Sequence, residues 1–530
     1  MLLQGQNDTV HVLENAKRLP YALVLNGLLV GVLAGGVAVI YRLLLEKGEA
    51  AMRWALGLAQ DGLPGAAAWF LGLAVLGGVA GLLVRWEPLI SGSGIPQVSG
   101  EMKGYLDPCW YRVLAAKLVG GTLCALGGLS VGREGPSVQL GGMVGKGVSR
   151  LLHRVRTEEK YLITCGAGAG LAAAFNAPLA GVLFALEEIH KNFSAAALVS
   201  VMTAAVAADF LSKLVFGMTP VFTFALEGAL PLEEYWLLVI LGVLLGALGA
   251  FYNFATLKVQ ALYGRSPLPE GARVVVPFLL AGVLGFWMPQ VLGGGHAMVE
   301  LLYGGDLLLG GMLALLAVKF LFSLLSFGSG APGGIFFPLL VLGAYMGGSF
   351  GLVAIRYCGV SPESLNNFII LAMAGYFTAI VRAPVTGVVL IAEMTGSFSH
   401  LLSLSVVSVV AYVTAYLLRS APIYESLLGN ILKKRGIAAP QETGEKILTT
   451  AVVQLGAAVA GQPVHQLHLP AGCLLVAVRR GGQELIPRGD TVLMEGDTLV
   501  ALAGTEQYAA VKAELQELCA AEPVGHQKKG

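Results

Sequence analysis

The stretch GREGP, residues 132–136, places an arginine and a glutamate side by side within a long run of small and apolar residues. LCALGGLSV precedes it and SVQLGGMVG follows it, and neither segment contains a charged residue. Burying a carboxylate in such surroundings is costly, so a charged residue here indicates a functional site. The rest of the sequence has to account for that glutamate.

The composition places the chain in a membrane. Of its 530 residues, 56% are hydrophobic and 13% are charged, and the mean hydropathy is +0.74. An ordinary soluble domain has about 25% charged residues. We therefore expect an all-α membrane protein with several spans.

Composition also excludes several classes of protein. A net charge of +1 argues against a nucleic-acid partner, which requires a clustered basic surface. The six cysteines are scattered, without a C-x-x-C pair or a histidine spacing that would hold zinc, so neither a metal site nor disulfides are expected. Eight dispersed histidines likewise argue against an enzyme. The N-terminus lacks the pattern of a signal peptide, and the first span is expected to act as the targeting signal.

Charge-free runs predict the spans, because a helix needs about 20 residues to cross the hydrocarbon. We predict single spans at residues 20–41, 64–84, 235–257, 274–299 and 394–418. The run 320–355 is also free of charge, but GSGAPGGIFFP (328–338) interrupts it. Apolar segments broken by glycine and proline predict half-helices that line a pathway.

An internal repeat supports a pathway. NAPLAGVLFALEE (176–188) aligns with RAPVTGVVLIAEM (382–394) at an offset of 206, so that Ala177 matches Ala383. Upstream, Pro136 matches Pro338 at an offset of 202. The duplication predicts two halves, at about residues 20–215 and 235–430, that meet at a central site.

Three glycine-rich stretches read as helix starts: SGSGIPQ (91–97), GREGP and GGIFFP (333–338). Glycine permits a tight turn, and the proline that follows suits the first turn of a helix. A helix N-terminus presents unpaired N–H groups and roughly half a positive charge, which together bind anions. Three converging N-termini would hold a small anion at mid-membrane. The alternative is that these stretches only pack helices or form loops.

In this order, and followed by a tyrosine in APIYESLL (421–428), GSGIP, GREGP and GGIFFP resemble the CLC family of chloride channels and chloride/proton antiporters. The resemblance covers about residues 23–433. It implies an inverted repeat of broken, tilted helices, a homodimer in the plasma membrane and one anion pathway in each subunit. Chloride and protons are then the transported ions, and no cofactor is implied.

The resemblance also assigns site residues. The hydroxyls of Ser93 and Tyr424 and the backbone amides of Ile335 and Phe336 correspond to the groups that hold the central chloride. Arg133 and Gly135 belong to the same anion-binding stretch.

Two acids carry the proton in the family's antiporters. Glu134 corresponds to the external gate and proton acceptor. A carboxylate at a helix N-terminus can itself be the bound anion, and it loses that attraction when protonated. Glu188, in FALEEIHKNF (184–193), corresponds to the internal proton-transfer residue. Channel members usually lack an acid there, so an antiporter is favoured, with a passive chloride channel as the alternative.

Simpler interpretations of these residues remain open. Ser93 alone fits an N-cap, and Tyr424 alone fits an interfacial anchor. Arg133 fits a salt-bridge partner of Glu134, although adjacent residues on a helix do not face each other.

The two acids at 187 and 188 also have a plain interpretation, as solvated charges at the end of a helix. The repeat, however, matches Glu187 with Glu393 and leaves Glu188 without a counterpart. This predicts a shared structural role for the matched pair and a functional role for Glu188.

The sequence changes character after residue 436. A linker (437–446) leads to alternating apolar patterns from residue 447, among them GCLLVAVRRGGQELIP (472–487) and DTLVALAG (497–504), which predict strands. TEQYAAVKAELQEL (505–518) predicts an amphipathic helix. We expect a small cytoplasmic α+β domain at 447–522, followed by a tail at 523–530.

This α+β domain resembles the C-terminal module of TrkA-type regulators of potassium transport. Such modules dimerise, and some bind nucleotides, including cyclic dinucleotides. The resemblance therefore implies a nucleotide regulator of transport. The alternative is an inert folding or dimerisation appendage.

Overall fold

The computed structural model describes residues 4–226, 228, 230–303, 308–437, 446–504 and 508–520, with side chains from residue 22 onward. The chain divides into two compact units, Met1–Ile437 and Ala438–Gly530. Most of the predicted linker and the whole predicted tail lie outside the described residues. Each unit has its own fold.

The first half of the membrane unit is helical and includes helices of very different length. They are α1 (Gln4–Ala59), α2 (Leu63–Trp86), α3 (Ile95–Met102), α4 (Trp110–Leu126), α5 (Glu134–Leu151), α6 (Arg156–Phe175), α7 (Pro178–Phe184) and α8 (Ala195–Phe216). A π-helix, Ala185–His190, continues α7.

The second half repeats this mixture of long and short helices. They are α9 (Tyr235–Arg265), α10 (Glu270–Arg273), α11 (Val275–Trp287), α12 (His296–Tyr303), α13 (Leu309–Gly328), α14 (Phe336–Cys358), α15 (Leu365–Val381), α16 (Pro384–Thr395), α17 (Leu401–Leu417) and α18 (Ile423–Lys434). Among the described residues, eight helices are long and apolar enough to cross a membrane. The prediction of a multi-span helical protein is confirmed.

Two of the predicted single spans are wrong as continuous helices. Over 274–299, α11 ends at Trp287 and α12 begins only at His296, because the intervening Gly293 and Gly295 have φ of 65° and 114°. Over 394–418, α16 ends next to Gly396, which has a φ of 67°, and α17 begins at 401. Hydropathy shows that a segment lies within the membrane but not whether it is one continuous helix. A glycine in the left-handed conformation can end a helix inside an apolar segment. The predicted break within 320–355 is confirmed, since α13 ends at 328 and α14 begins at 336.

The backbone reproduces the internal repeat. Ala177, before α7, has φ and ψ of −130° and 81°, and Ala383, before α16, has −115° and 79°. The residues that precede them, Asn176 and Arg382, both have a positive φ, 53° and 72°. Two segments related by the offset of 206 therefore enter their helices through the same turn.

Matched glycines pack the core of each half. A Cβ added to Gly141 of α5 would lie 2.0 Å from the carbonyl oxygen of Gly166 in α6. A Cβ added to Gly343 of α14, its repeat partner, would lie 2.9 Å from the carbonyl oxygen of Ala372 in α15. Small residues allow such close contact between membrane helices. These contacts place α5 and α14, which begin at the central motifs, in the interior.

The C-terminal unit has the predicted α+β fold. Its elements are β1 (Lys446–Val452), β2 (Cys473–Arg480), β3 (Gln483–Leu485), β4 (Thr498–Gly504) and α19 (Tyr508–Leu518). The strands form one antiparallel sheet in the order β1-β4-β2-β3. Gly481 and Gly482, with φ of 54° and 81°, make the two-residue turn between β2 and β3. The unit has its own apolar core, which includes Leu475, Leu499 and Leu515.

Candidate anion and proton site

Backbone hydrogen bonds bring the three glycine-rich loops together. The Gly132 N–H donates to the Gly334 carbonyl over 2.6 Å, and the Gly334 N–H donates to the Gly132 carbonyl over 2.8 Å. The Gly333 N–H donates to the Gly92 carbonyl over 3.0 Å. The loops before α3, α5 and α14 therefore form one joined structure, and the three predicted helix starts lie next to one another.

Two hydroxyls predicted for the anion site are buried and unpaired. Ser93 is 2% exposed and Tyr424 is 1% exposed, and neither hydroxyl oxygen makes a hydrogen bond of ordinary geometry within the described structure, although the two hydroxyls lie close to each other. Buried hydroxyls usually have a partner, so these two are available to hold an anion. Ser93 Oγ also lies against Gly135, where an added Cβ would be only 2.3 Å away. Glycine at 135 is therefore required for the serine to reach this position.

The amides predicted for the anion site lie at the start of α14. Ile335 is the N-cap residue and Phe336 is the first residue of the helix, so neither N–H is used within it. Both residues are buried, 1% and 0% exposed. Their N–H groups, with those at the start of α5, are donors for an anion or a carboxylate.

Glu134 is a fully buried carboxylate at this junction. It is 0% exposed and is the first residue of α5. A Cβ added to Gly132 would lie 2.4 Å from Glu134 Oε2, so the carboxylate rests against that loop. The backbone N–H groups of Arg133, Glu134 and Phe337 lie near the same carboxylate, although none makes a hydrogen bond of ordinary geometry to either oxygen. Glu134 thus lies where α5 and α14 both present their positive ends.

The sequence argument separating Arg133 from Glu134 is wrong. Arg133 Nε lies 3.8 Å from Glu134 Oε1, at the outer limit of an ion pair. The rule that adjacent residues do not face each other applies inside a helix, whereas Arg133 is the N-cap residue of α5. The guanidinium therefore adds a positive charge beside the carboxylate.

Glu188 lies in the π-helix that follows α7. The residue is 6% exposed, so it does not fit the interpretation of a solvated charge at a helix end. Its carboxylate and that of Glu134 are both among the charged groups around the hydroxyl of Tyr424. π-helices are rare and occur frequently at functional sites. The two predicted acids therefore share the surroundings of one anion-site hydroxyl.

Two cavities reach the site. One, of about 240 Å³, is lined by Glu134, Arg133 and His296 among others. The second, of about 710 Å³, is lined by Ser93 and by a group of cations. These cations are Arg273, Lys433, Lys434 and Arg435. Among the described lining residues none belongs to both cavities, so the Glu134 side and the Ser93 side are separate.

Sequence reasoning missed a buried lysine behind the first loop. Lys117 of α4 is 0% exposed, and its ammonium group donates to the carbonyls of Ile90 and Gly92 over 2.7 and 2.5 Å. It therefore fixes the loop that carries Ser93. The internal repeat could have pointed to this lysine. At the offset of 202, residue 117 pairs with residue 319, and both are lysines in largely apolar segments.

Two tyrosines were also missed. Tyr252 and Tyr376 are 0% exposed, their rings lie edge to face with centroids 6.2 Å apart, and neither hydroxyl has a partner among the described residues. Tyr252 is also among the groups around Tyr424. A tyrosine within an apolar run carries no sequence signal that separates such a position from ordinary core.

Comparison with known proteins decides the family. Residues 75–416 match the family model described as voltage gated chloride channel. The H(+)/Cl(-) exchange transporter ClcA of Vibrio cholerae serotype O1 is 35% identical over 445 residues, which cover 82% of this chain and 95% of that protein. This chain belongs to the CLC family. A second CLC relative, ClcA of Klebsiella pneumoniae strain 342, is 32% identical over 449 residues.

Solved CLC structures agree in fold. A slow cyanobacterial Cl-/H+ antiporter matches with a TM-score of 0.74 and 31% identity, covering 78% of this chain and 99% of that one. A CLC-type fluoride/proton antiporter, 24% identical with a TM-score of 0.62, shares the fold. Residues 448–516 match the TrkA-C domain model. The chain is a multi-pass membrane protein of the CLC family with an appended TrkA-C domain, which is of a cytoplasmic type.

Proposed function

We propose that this protein exchanges chloride for protons across the membrane. The observation that carries the proposal is the pair of buried carboxylates, Glu134 at 0% and Glu188 at 6% exposure. Ionisable residues in membrane segments are costly to bury and are retained for function. The names of the relatives, which are proton/chloride exchangers, point the same way.

Anion binding and gating use the same helix ends. Chloride binds to the hydroxyls of Ser93 and Tyr424 and to the N–H groups of Ile335 and Phe336. The ionised carboxylate of Glu134 competes for the positive ends of α5 and α14, with Arg133 beside it. When Glu134 takes a proton it loses that attraction, and the anion path opens. One residue thus couples the two ions.

Glu188 supplies the proton from the cytoplasmic side. It removes no ligand from the anion when it changes protonation, because it lies in the π-helix and not in the three joined loops. The proton route and the anion route therefore share Glu134 and separate at Glu188. A passive channel would have no use for a buried acid at this position.

We also propose that the protein works as a homodimer and that its TrkA-C domain binds a nucleotide regulator, such as a cyclic dinucleotide. The TrkA-C match and the separate apolar core support a module that folds on its own. Thermal-shift measurements on purified residues 440–530 with a nucleotide panel test the second part. A stabilised domain is expected, and no shift with any nucleotide, together with unaltered transport after truncation, contradicts regulation.

Reconstitution in liposomes tests the exchange itself. With a chloride gradient imposed and a pH electrode outside, the wild type should drive protons uphill. Chloride flux without proton movement contradicts exchange and leaves the channel.

A further inference from the structure

Two carboxylates cap two helices of the repeat reciprocally. The Val385 and Thr386 N–H groups, at the start of α16, donate to Glu187 Oε1 and Oε2 over 3.4 and 2.9 Å. The Leu179 and Ala180 N–H groups, at the start of α7, donate to Glu393 Oε1 and Oε2 over 3.1 and 2.8 Å. Each acid thus lies at the N-terminus of the helix that carries the other.

Hydrogen bonds hold both carboxylate oxygens of Glu187 in place. Both oxygens accept from backbone N–H groups, and Oε2 also accepts from the Thr386 hydroxyl over 2.7 Å. Glu187 therefore acts as a fixed anchor between the π-helix and α16, next to Glu188.

The polar neighbours of Glu188 are tied to three different helices. Glu187 is tied to α16. The His190 ring Nδ1 lies 3.1 Å from Thr164 Oγ1 of α6. The Lys191 ammonium group forms an ion pair with Glu425 of α18, the residue after Tyr424. Glu188 alone among these four is buried. Its position in the core is thus set by the attachments on either side of it.

We propose that Glu187 is the positioning residue of the internal proton site. Its hydrogen bonds to the start of α16 fix the π-helix, and the fixed π-helix holds the side chain of Glu188 in the core, where it can take up and release protons. Glu393 makes the equivalent hydrogen bonds to the start of α7, but the residue after it is Met394, which cannot carry a proton. The two acids therefore have the same structural role, and only Glu187 positions a proton-transfer residue. This inference rests on the proposed exchange of chloride for protons.

Matched substitutions test the proposal. Glu187→Gln and Glu393→Gln each preserve side-chain size and replace one accepting oxygen with an amide that cannot accept from a backbone N–H. Proton and chloride fluxes are measured together in liposomes, per folded protein. For Glu187→Gln we expect the ratio of proton to chloride flux to fall about tenfold or more, because a displacement of about 1 Å at a reacting group costs up to about 100-fold. Glu393→Gln should lower the thermal midpoint similarly and keep the wild-type ratio.

A third variant covers failure to fold. Thr386→Val removes one of the three donors to Glu187 and changes no charge, so it should lower the flux ratio less than Glu187→Gln does. A wild-type ratio in Glu187→Gln, or in Thr386→Val if the first variant does not fold, overturns the positioning role. An equal loss of ratio in Glu393→Gln overturns it as well. If the wild type itself moves no protons, the proposed exchange fails instead, which separates the two results.

Discussion

Lys117 and Lys319 make the same pair of hydrogen bonds in the two halves of the membrane unit. Lys117 Nζ donates to the carbonyls of Ile90 and Gly92, and Lys319 Nζ donates to those of Val291 and Gly293 over 2.9 and 2.7 Å. Both lysines are 0% exposed. Each ammonium group thus fixes the loop before a short helix, α3 in the first half and α12 in the second. Only the first loop carries an anion-site hydroxyl, that of Ser93.

The two matched lysines allow effects on stability to be distinguished from effects on chloride binding. Lys117→Met and Lys319→Met should each destabilise the protein, since each removes two hydrogen bonds to buried loop carbonyls, at about 1–3 kcal/mol for each carbonyl left unpaired. In Lys117→Met the Gly92 carbonyl keeps the hydrogen bond from the Gly333 N–H. Only Lys117→Met should also weaken chloride binding, because it releases the Ser93 loop. Calorimetric titration with chloride alongside thermal unfolding measures both effects. Equal loss of chloride affinity in the two variants would contradict the assignment.

The two orphan hydroxyls should contribute directly to chloride affinity. Ser93→Ala and Tyr424→Phe each remove one hydrogen bond to a charged ion, about 1.5–3 kcal/mol. Each should therefore weaken chloride binding by roughly 10- to 150-fold, with little change in the thermal midpoint, because no protein partner is left unpaired. Calorimetry is the measurement, and Tyr357→Phe, at a position that is 75% exposed, serves as a tyrosine control. Unchanged binding in the Ser93→Ala, Tyr424→Phe double variant would remove both residues from the site.

Gly135→Ala should disturb the site through one methyl group. The added Cβ would lie 2.3 Å from Ser93 Oγ, well inside contact distance, so the serine must move. We expect a loss of chloride affinity comparable to that of Ser93→Ala. Gly36→Ala is the control, because nothing lies within 4 Å of an added Cβ there. Wild-type chloride affinity in Gly135→Ala would mean that Ser93 does not contact the anion.

The motifs predicted helix starts better than hydropathy predicted spans. Pro96, Pro136 and Pro338 come shortly after glycines, and proline is tolerated best in the first turn of a helix, so local sequence marked the starts of α3, α5 and α14. The breaks within 274–299 and 394–418 could not be predicted in the same way. A charge-free run does not show which glycine, such as Gly396, takes a left-handed conformation and ends the helix.

The site was predictable where a repeat or a motif marked it. The shared role of Glu187 and Glu393 followed from their alignment, and the reciprocal caps confirm it. The contact between Arg133 and Glu134 did not follow, because it depends on the exact residue at which α5 begins. The pairing of Tyr252 with Tyr376 depends on how α9 packs on α15, which no local pattern records.

The C-terminal unit should lose stability in acid through Asp497. Arg480 donates to both oxygens of this carboxylate over 2.8 and 2.7 Å, and these hydrogen bonds hold the pKa of Asp497 below its usual range. Because the pKa is lower in the folded state, the contribution is complete above the unfolded pKa of about 3.9 and is lost as the pH falls below it.

Asp497→Asn should therefore lower the thermal midpoint of residues 440–530 at pH 7, by an amount equivalent to about 1.5–3 kcal/mol, and should reduce the further loss below about pH 4. Asp490→Asn, at an exposed position, is the control. A midpoint in Asp497→Asn that falls with acid as steeply as in the wild type would assign the acid sensitivity to other groups.

Glu134 should set the pH dependence of the chloride path. In Glu134→Gln the side chain can neither return to the helix ends as an anion nor take up a proton, so chloride flux should no longer vary with pH. Chloride efflux from liposomes, measured from about pH 4.5 to about pH 7.5, tests this, because carboxyl groups in proteins titrate in or near this range. A pH profile like that of the wild type would place the gate elsewhere.

Chloride and protons are proposed to share Glu134 and to follow separate routes at Glu188, and one variant distinguishes the two routes. Proteoliposomes that contain Glu188→Gln are given an outward chloride gradient, and chloride and proton movements are recorded together beside the wild type. We expect the wild type to pump protons uphill and Glu188→Gln to pass chloride and move no protons, since a glutamine cannot take up a proton and no anion ligand has been removed. Proton pumping by Glu188→Gln at the wild-type ratio would exclude Glu188 from the proton route.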